Sequence, residues 1–159
     1  MEQAVVTAVT HDTSEAKVTV TGVPDKPGIA ARLFRALADR AVNVDTIVQN
    51  TSLHGTTDIS FTVPKTDLAV SLEVARELAP DIGAGEAMAD DGIAKVSLVG
   101  AGMRSHPGVS ATMFEVLATA GINIEMISTS SIRLTCVVRA DVAEKAVMAL
   151  HRAFKLEGE

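Results

Sequence analysis

The sequence predicts an α+β protein built from two small modules, each an antiparallel sheet with helices on one face. Three observations predict it. The chain repeats itself at a spacing near 80 residues. Each copy alternates β-branched runs with helical spacing in the order strand, helix, strand, strand, helix. And the core available to its 159 residues is aliphatic: 47% of them are hydrophobic but only 3% aromatic, with four Phe, no Tyr and no Trp. Length alone allows one domain or two small ones, and the repeat selects two.

The repeat is visible residue by residue. Lys17-Val-Thr-Val-Thr-Gly22 leads through a loop to Pro27-Gly28, and Lys95-Val-Ser-Leu-Val-Gly100 leads through a longer loop to Pro107-Gly108. Downstream, Phe34 matches Phe114, Leu37 matches Leu117, Asn43 matches Asn123, and Asp45 is answered by Glu125. Eight of the 24 positions from Pro27 to Asn50 are identical to those from Pro107 to Ser130.

Each element follows from local pattern. Residues 1–16 form an extra arm, in which residues 4–9 have strand propensity and are available to extend a sheet. In the first copy, residues 17–90, Val18, Val20 and Val23 mark a strand. Pro27 suits the first position of a helix, where its missing N–H is harmless. Ile29, Leu33, Leu37 and Ala41 carry that helix at its apolar spacing. Residues 42–48 read as a second strand. Ile59, Phe61 and Val63 alternate with Asp58, Ser60 and Thr62, the period of a half-exposed antiparallel strand. Leu68, Leu72, Ala75 and Leu78 mark a second helix, and residues 83–89 a weak fourth strand. In the second copy, residues 91–159, strands are expected at 96–99 and 122–127. Val109, Met113, Leu117 and Ala120 mark a helix ending at Gly121, a favoured residue just past a helix end. Ile132, Leu134, Cys136 and Val138 alternate with Arg133, Thr135 and Val137. Asp141 and Glu144 resemble a capping box ahead of a helix carried by Val142, Ala146, Leu150 and Phe154. This order is the split βαβ, or ferredoxin-like (βαββαβ), arrangement. Its open sheet face and free edges are buried when two copies pack side by side.

Composition excludes several classes of function. Fourteen Lys and Arg against twenty Asp and Glu leave a net charge of −6, and a nucleic-acid binder needs the opposite balance and stacking aromatics. One Cys allows neither a disulfide framework nor a multi-cysteine metal site. No apolar run approaches the roughly 20 residues of a membrane span, and Met1-Glu2-Gln3 opens no signal peptide, so a cytoplasmic protein is expected. No phosphate-binding loop or nucleophile elbow is present. His11, His54, His106 and His151 are scattered, without the spacing of metal ligands. Cys136 is in phase with Leu134 and Val138, as a core thiol would be. No catalytic residue, metal or cofactor is expected.

The informative feature is the loop before the first helix of each copy, Val23-Pro-Asp-Lys-Pro-Gly28 and Ala101-Gly-Met-Arg-Ser-His-Pro-Gly108. Each ends at a helix N-terminus, whose free N–H groups and positive dipole end favour a carboxylate. Gly28 and Gly108 let backbone approach a ligand, and Asp25 lies where an ammonium group would be held, so the set suits a zwitterionic amino acid. The same Pro-Gly pair also serves simply to start a helix. Asn43 and Asn123, at matched junctions, are either ligand amides or turn residues, and the same holds for the matched Gln49 and Thr129.

At these residues a family resemblance becomes specific. Asp25-Lys-Pro-Gly28 after a short strand is similar to the ligand loop of ACT domains, ferredoxin-like modules that bind small molecules. Lys95-Val-Ser-Leu-Val-Gly-Ala-Gly-Met-Arg-Ser-His-Pro-Gly-Val109 and Asn123-Ile-Glu-Met-Ile-Ser-Thr-Ser130 resemble the second ACT domain of aspartokinases. Gln49-Asn50 and Thr56-Thr-Asp-Ile-Ser-Phe61 resemble the first. The likeness runs from about residue 15 to 155. The family's kinase domain, with its Lys-Phe-Gly-Gly-type motif, is not found in these residues. In α2β2 members an internal start yields a β subunit of the regulatory half alone, and this chain is similar to that; a recombinant truncation would read the same.

The resemblance implies a non-catalytic subunit, a homodimer in isolation, that answers to threonine and lysine and acts on an aspartate kinase catalytic subunit. It implies that Asp25, Lys26, Gly28, Ile29, Ala30 and Gln49 form a first effector site, faced by Asn123, Ile124 and Glu125 and best suited to threonine. It implies a second, for lysine if either site takes it, from Ser105, His106, Gly108, Val109 and Ser110 with Asn43, Val44 and Asp45. One departure bears on this. The family commonly reads Ser-Thr-Ser-Glu-Ile where this chain reads Ser128-Thr-Ser-Ser-Ile132. A Glu there would counter a cation, so Ser131 implies a weakened response to lysine. Two rival readings stand beside it: a free-standing amino-acid sensor that controls another protein, and a small enzyme using His106 or Cys136.

Overall fold

The computed structural model describes residues 6–50, 52, 54–101 and 106–155. Along the chain run β1 (Val6–Asp12), β2 (Glu15–Pro24), α1 (Ile29–Asp39), β3 (Ile47–Gln49), β4 (Thr56–Pro64), α2 (Leu68–Ile82), β5 (Ala87–Asp90), β6 (Ile93–Gly100), α3 (Gly108–Thr119), β7 (Met126–Thr129), β8 (Arg133–Arg139) and α4 (Ala143–Ala153). Single 3₁₀ turns, Lys65–Asp67 and Ala140–Val142, lead into α2 and α4. The chain divides into a unit of Ser14–Asp91 and a second unit that joins β1 to the chain from Gly92 onward. Among the described residues no helix is long and apolar enough to cross a membrane.

The Ser14–Asp91 unit is a four-stranded antiparallel sheet in the order β3-β4-β2-β5. The strands are held in register because one-residue slips would turn their apolar sets away from the helices. Val18 and Val20 of β2 stand opposite Phe61 and Ile59 of β4, and these four join Leu33 and Leu37 of α1 in the core. Phe34 meets Phe61 edge to face, with ring centroids 5.4 Å apart and planes at 76°, the preferred geometry for an aromatic pair.

The second unit repeats this plan with one substitution. Its sheet has the order β1-β6-β8-β7, so β1, from the far end of the sequence, takes the edge that β5 takes in the other unit. Asp12 pairs with Lys95 across that edge as Asp90 pairs with Lys17 across the other. The core gathers Val96, Leu98, Met113, Leu117, Leu134 and Cys136, with Ala146 and Leu150 from α4.

Several local expectations are corrected. Pro27 is not helical: it lies in a turn, and α1 starts at Ile29 after Gly28, whose φ of 91° is open to glycine and strained for other residues. Ala41 lies beyond α1, which ends at Asp39, with φ 62° where the other unit has Gly121 at 76°. The second strands are short. Residues 42–46 and 122–125 carry the chain from the helix layer to the sheet edge, burying Val42 and Ile122 on the way, and ladder pairing starts only at β3 and β7. α2 buries Ser71, Val74, Ala75, Ala79 and Ile82, while Leu68, Leu72 and Leu78 are half-buried at its margin. The small stripe lets the helix pack on β2 and β5, and the Ser71 hydroxyl is satisfied by the Asp67 carbonyl at 2.7 Å. β8 is buried on both faces, with Val137 joined to Ile93 and Met126 in a second small cluster. Ile132 lies outside β8 and is exposed. The capping box does not form: Asp141 is held in the 3₁₀ turn, and Val142 stands at the cap of α4 with no side-chain bond.

Candidate functional site

Each unit displays its candidate residues with the same devices. In the Ser14–Asp91 unit the loop after β2 is shaped by backbone bonds: Asp25 N–H donates to the Gly55 carbonyl at 3.0 Å, and Lys26 N–H to Pro24 at 3.0 Å. Asp25, Lys26 and Gly28 are exposed, and Ile29 and Ala30 are half-buried at the start of α1. A Cβ added at Gly28 would meet nothing within 4 Å, so the positive φ rather than crowding calls for glycine. Gly108 has the same open surroundings but is already helical. Neither α1 nor α3 has a side-chain cap or an acidic residue in its first turn, so the orphan N–H groups there keep their affinity for an anion.

The matched asparagines stand on pinned connectors. In one unit Val42 N–H donates to Leu37 and Asp45 N–H to Thr62, both at 3.0 Å, with exposed Asn43 and half-buried Val44 between them. In the other, Ile122 N–H donates to Leu117 at 2.9 Å and Glu125 N–H to Val137 at 2.8 Å, around exposed Asn123 and half-buried Ile124. Arg139 Nη1 donates to both carboxylate oxygens of Glu125, at 3.3 and 3.4 Å. Gln49 is exposed at the end of β3.

In the unit that contains β1, a cavity of about 280 Å³ opens between the start of α3 and the β7–β8 turn, lined by His106, Pro107, Val109, Ser110, Thr129, Ser130 and Leu134. That is near the lower end of the roughly 300–1,000 Å³ range of small-molecule sites. His106, Val109 and Ser110 are thereby brought together, and His106 Nε2 is buried. Ser105 lies outside the described residues. Ser130 and Leu134 were missed by the sequence reading. The signal for Ser130 was its place 80 residues after Asn50; for Leu134 it was the inward phase of β8.

ACT-domain family models match residues 17–81 and 96–154. The solved regulatory subunit of aspartate kinase from Thermus thermophilus, in ligand-free form, is 42% identical with a TM-score of 0.91, covering 95% of this chain and 99% of that one. A structure of aspartokinase alpha and beta subunits contains a chain 47% identical with a TM-score of 0.89, covering 94% of this chain and 99% of that one. The chain belongs to the aspartokinase regulatory family. Its two units are ACT domains. The aspartokinase of Mycolicibacterium smegmatis is 52% identical over the whole of this chain, which spans 38% of that relative's length. A structure of Escherichia coli aspartokinase III in complex with lysine and aspartate is 25% identical with a TM-score of 0.74, covering 94% of this chain and 33% of that one.

The remaining chemistry of this regulatory chain is quiet. Cys136 is fully buried, with its thiol 3.9 Å from the Met113 sulfur, and burial pushes its pKa from 9.0 up to about 12. A thiol so placed is a packing group rather than a nucleophile. Among the described residues no three His, Cys, Asp or Glu converge as metal ligands.

Proposed function

We propose that this chain is the effector-sensing part of an aspartate kinase, cytoplasmic and dimeric, that binds threonine, and lysine more weakly, and so restrains the catalytic subunit that phosphorylates aspartate. The observation that carries the reading is the cavity at the start of α3. It is of amino-acid size, one end is an uncapped helix start suited to a carboxylate, and its wall offers the hydroxyls of Ser110, Thr129 and Ser130. The repeat-related positions in the other unit are Lys26, Pro27, Ile29, Ala30, Gln49 and Asn50, where the helix start likewise has no side-chain cap. There Asp25 adds a carboxylate for an ammonium group, and a threonine hydroxyl suits the small polar surroundings. Asn123, Ile124 and Glu125 on one connector, and Asn43, Val44 and Asp45 on the other, complete the effector-recognising residues.

Inhibition then follows from differential affinity. An effector that prefers one arrangement of the ACT domains shifts the kinase toward its restrained state by that preference, typically about 1–3 kcal/mol. Calorimetric and melting titrations with threonine and lysine test it. At a hundredfold excess over its dissociation constant, threonine should add about 2.7 kcal/mol of stability, and with a catalytic subunit present it should lower aspartate phosphorylation. A chain that binds neither amino acid overturns the reading. One that binds threonine but leaves the kinase unaffected is a sensor for some other protein.

A further inference from the structure

We infer that Arg139 sets the charge class of the effector recognised at the Asn123 connector, by holding the Glu125 carboxylate so that a ligand with an uncharged side chain is preferred over a cationic one. The inference rests on the proposed function and adds a specificity-determining residue to it. Asn123 is displayed two residues from Glu125, a span of at most about 7 Å. That is inside the roughly 8 Å screening length at physiological salt. A bare carboxylate there would draw a ligand's second positive charge. Instead one guanidinium nitrogen of Arg139 sits 3.3 and 3.4 Å from its two oxygens, with the Glu125 side chain only 17% exposed against 44% for Arg139.

The pair is not what shapes the connector. In the Ser14–Asp91 unit the same connector forms with the same backbone bond, Asp45 N–H to Thr62 in place of Glu125 N–H to Val137. Two residues further along β4, where β8 has Arg139, that unit has Pro64, which carries no charge. A fold that makes the connector without the guanidinium leaves Arg139 an electrostatic task. Arg suits it, since its guanidinium stays charged at every working pH and is weakly hydrated.

The test uses the full chain and calorimetry with threonine and lysine separately. Arg139→Gln should raise lysine affinity about fivefold, the scale of a half-exposed charge pair, while changing threonine affinity less. Adding Glu125→Gln should abolish that gain, and Arg139→Lys should leave the wild-type preference in place. Glu125→Gln alone, which leaves the guanidinium uncompensated, should weaken lysine more than threonine and so widen the preference for threonine, and this arm stands even where Arg139→Gln folds poorly. An unchanged threonine-to-lysine ratio in Arg139→Gln and in Glu125→Gln, or a lysine gain that survives in the double variant, overturns the inference and leaves the proposed function standing. A wild-type chain that binds neither amino acid overturns both.

Discussion

Ala41 adopts a left-handed backbone, φ 62°, at the point where Gly121 ends the equivalent helix at 76°. An L-residue there is disfavoured by roughly 1–2 kcal/mol, and glycine returns about 0.4–1 kcal/mol of that through the unfolded chain. Ala41→Gly should therefore stabilise by about 0.5–1 kcal/mol, and thermal melting should show a midpoint raised by about 1–4 °C for a chain of this length. Gly121→Ala should act in the opposite direction. Cys136 makes a prediction about pH. Its thiol is held protonated in the fold up to about 12, against 9.0 when released. Between those values the folded state binds the extra proton, so stability falls as pH rises through that window and is fully present below it. Alkaline unfolding of the wild type should be steeper than that of Cys136→Ala, and a thiol reagent should label Cys136 only after denaturation.

At the scale of elements, the edge strand β1 is the part most open to challenge. It contributes one buried residue, Val6, and otherwise presents Thr7, Thr10, His11 and Asp12 to solvent. Excising residues 6–12 should speed hydrogen exchange at the β6 amides it covers, while β2 amides in the other unit keep their protection; equal loss in both would show that the units open together. The sequence revealed these elements unevenly. Strands flanked by their own alternation, such as β4 with Ile59, Phe61 and Val63, were legible, since period and burial agree. The second strands were over-read, because Val42, Val44, Ile122 and Ile124 are apolar for the sake of the core under a connector, not for ladder pairing. The α2 helix was legible from Leu68, Leu72, Ala75 and Leu78, all in or packed against the core, whereas Ser71 and Ala79 look polar or neutral until a sheet lies against them. Of the candidate site, the loops and asparagines could be found from the repeat. The Glu125–Arg139 pair could not, because it joins residues 14 apart through a strand register that no local pattern announces.

At the scale of the molecule, two ferredoxin-like units share one chain by an exchange of position. β1 and β2 are separated by two residues, yet they serve different sheets, and β5 and β6 do the same across Asp91 and Gly92. The Ser14–Asp91 unit thus lies in sequence between two strands of a neighbour's hairpin-like pair. That layout fixes an order of events during synthesis. β1 leaves the ribosome well before β6, the strand it pairs with, since Lys95, opposite Asp12, follows 83 residues later. At 5–20 residues per second this is a wait of roughly 4–17 s. All six elements of the Ser14–Asp91 unit are in hand before β6 is made, so that unit is the first able to close. The polar surface of β1 then has a second use: it keeps a nascent, unpaired strand from joining the wrong edge on a crowded polysome.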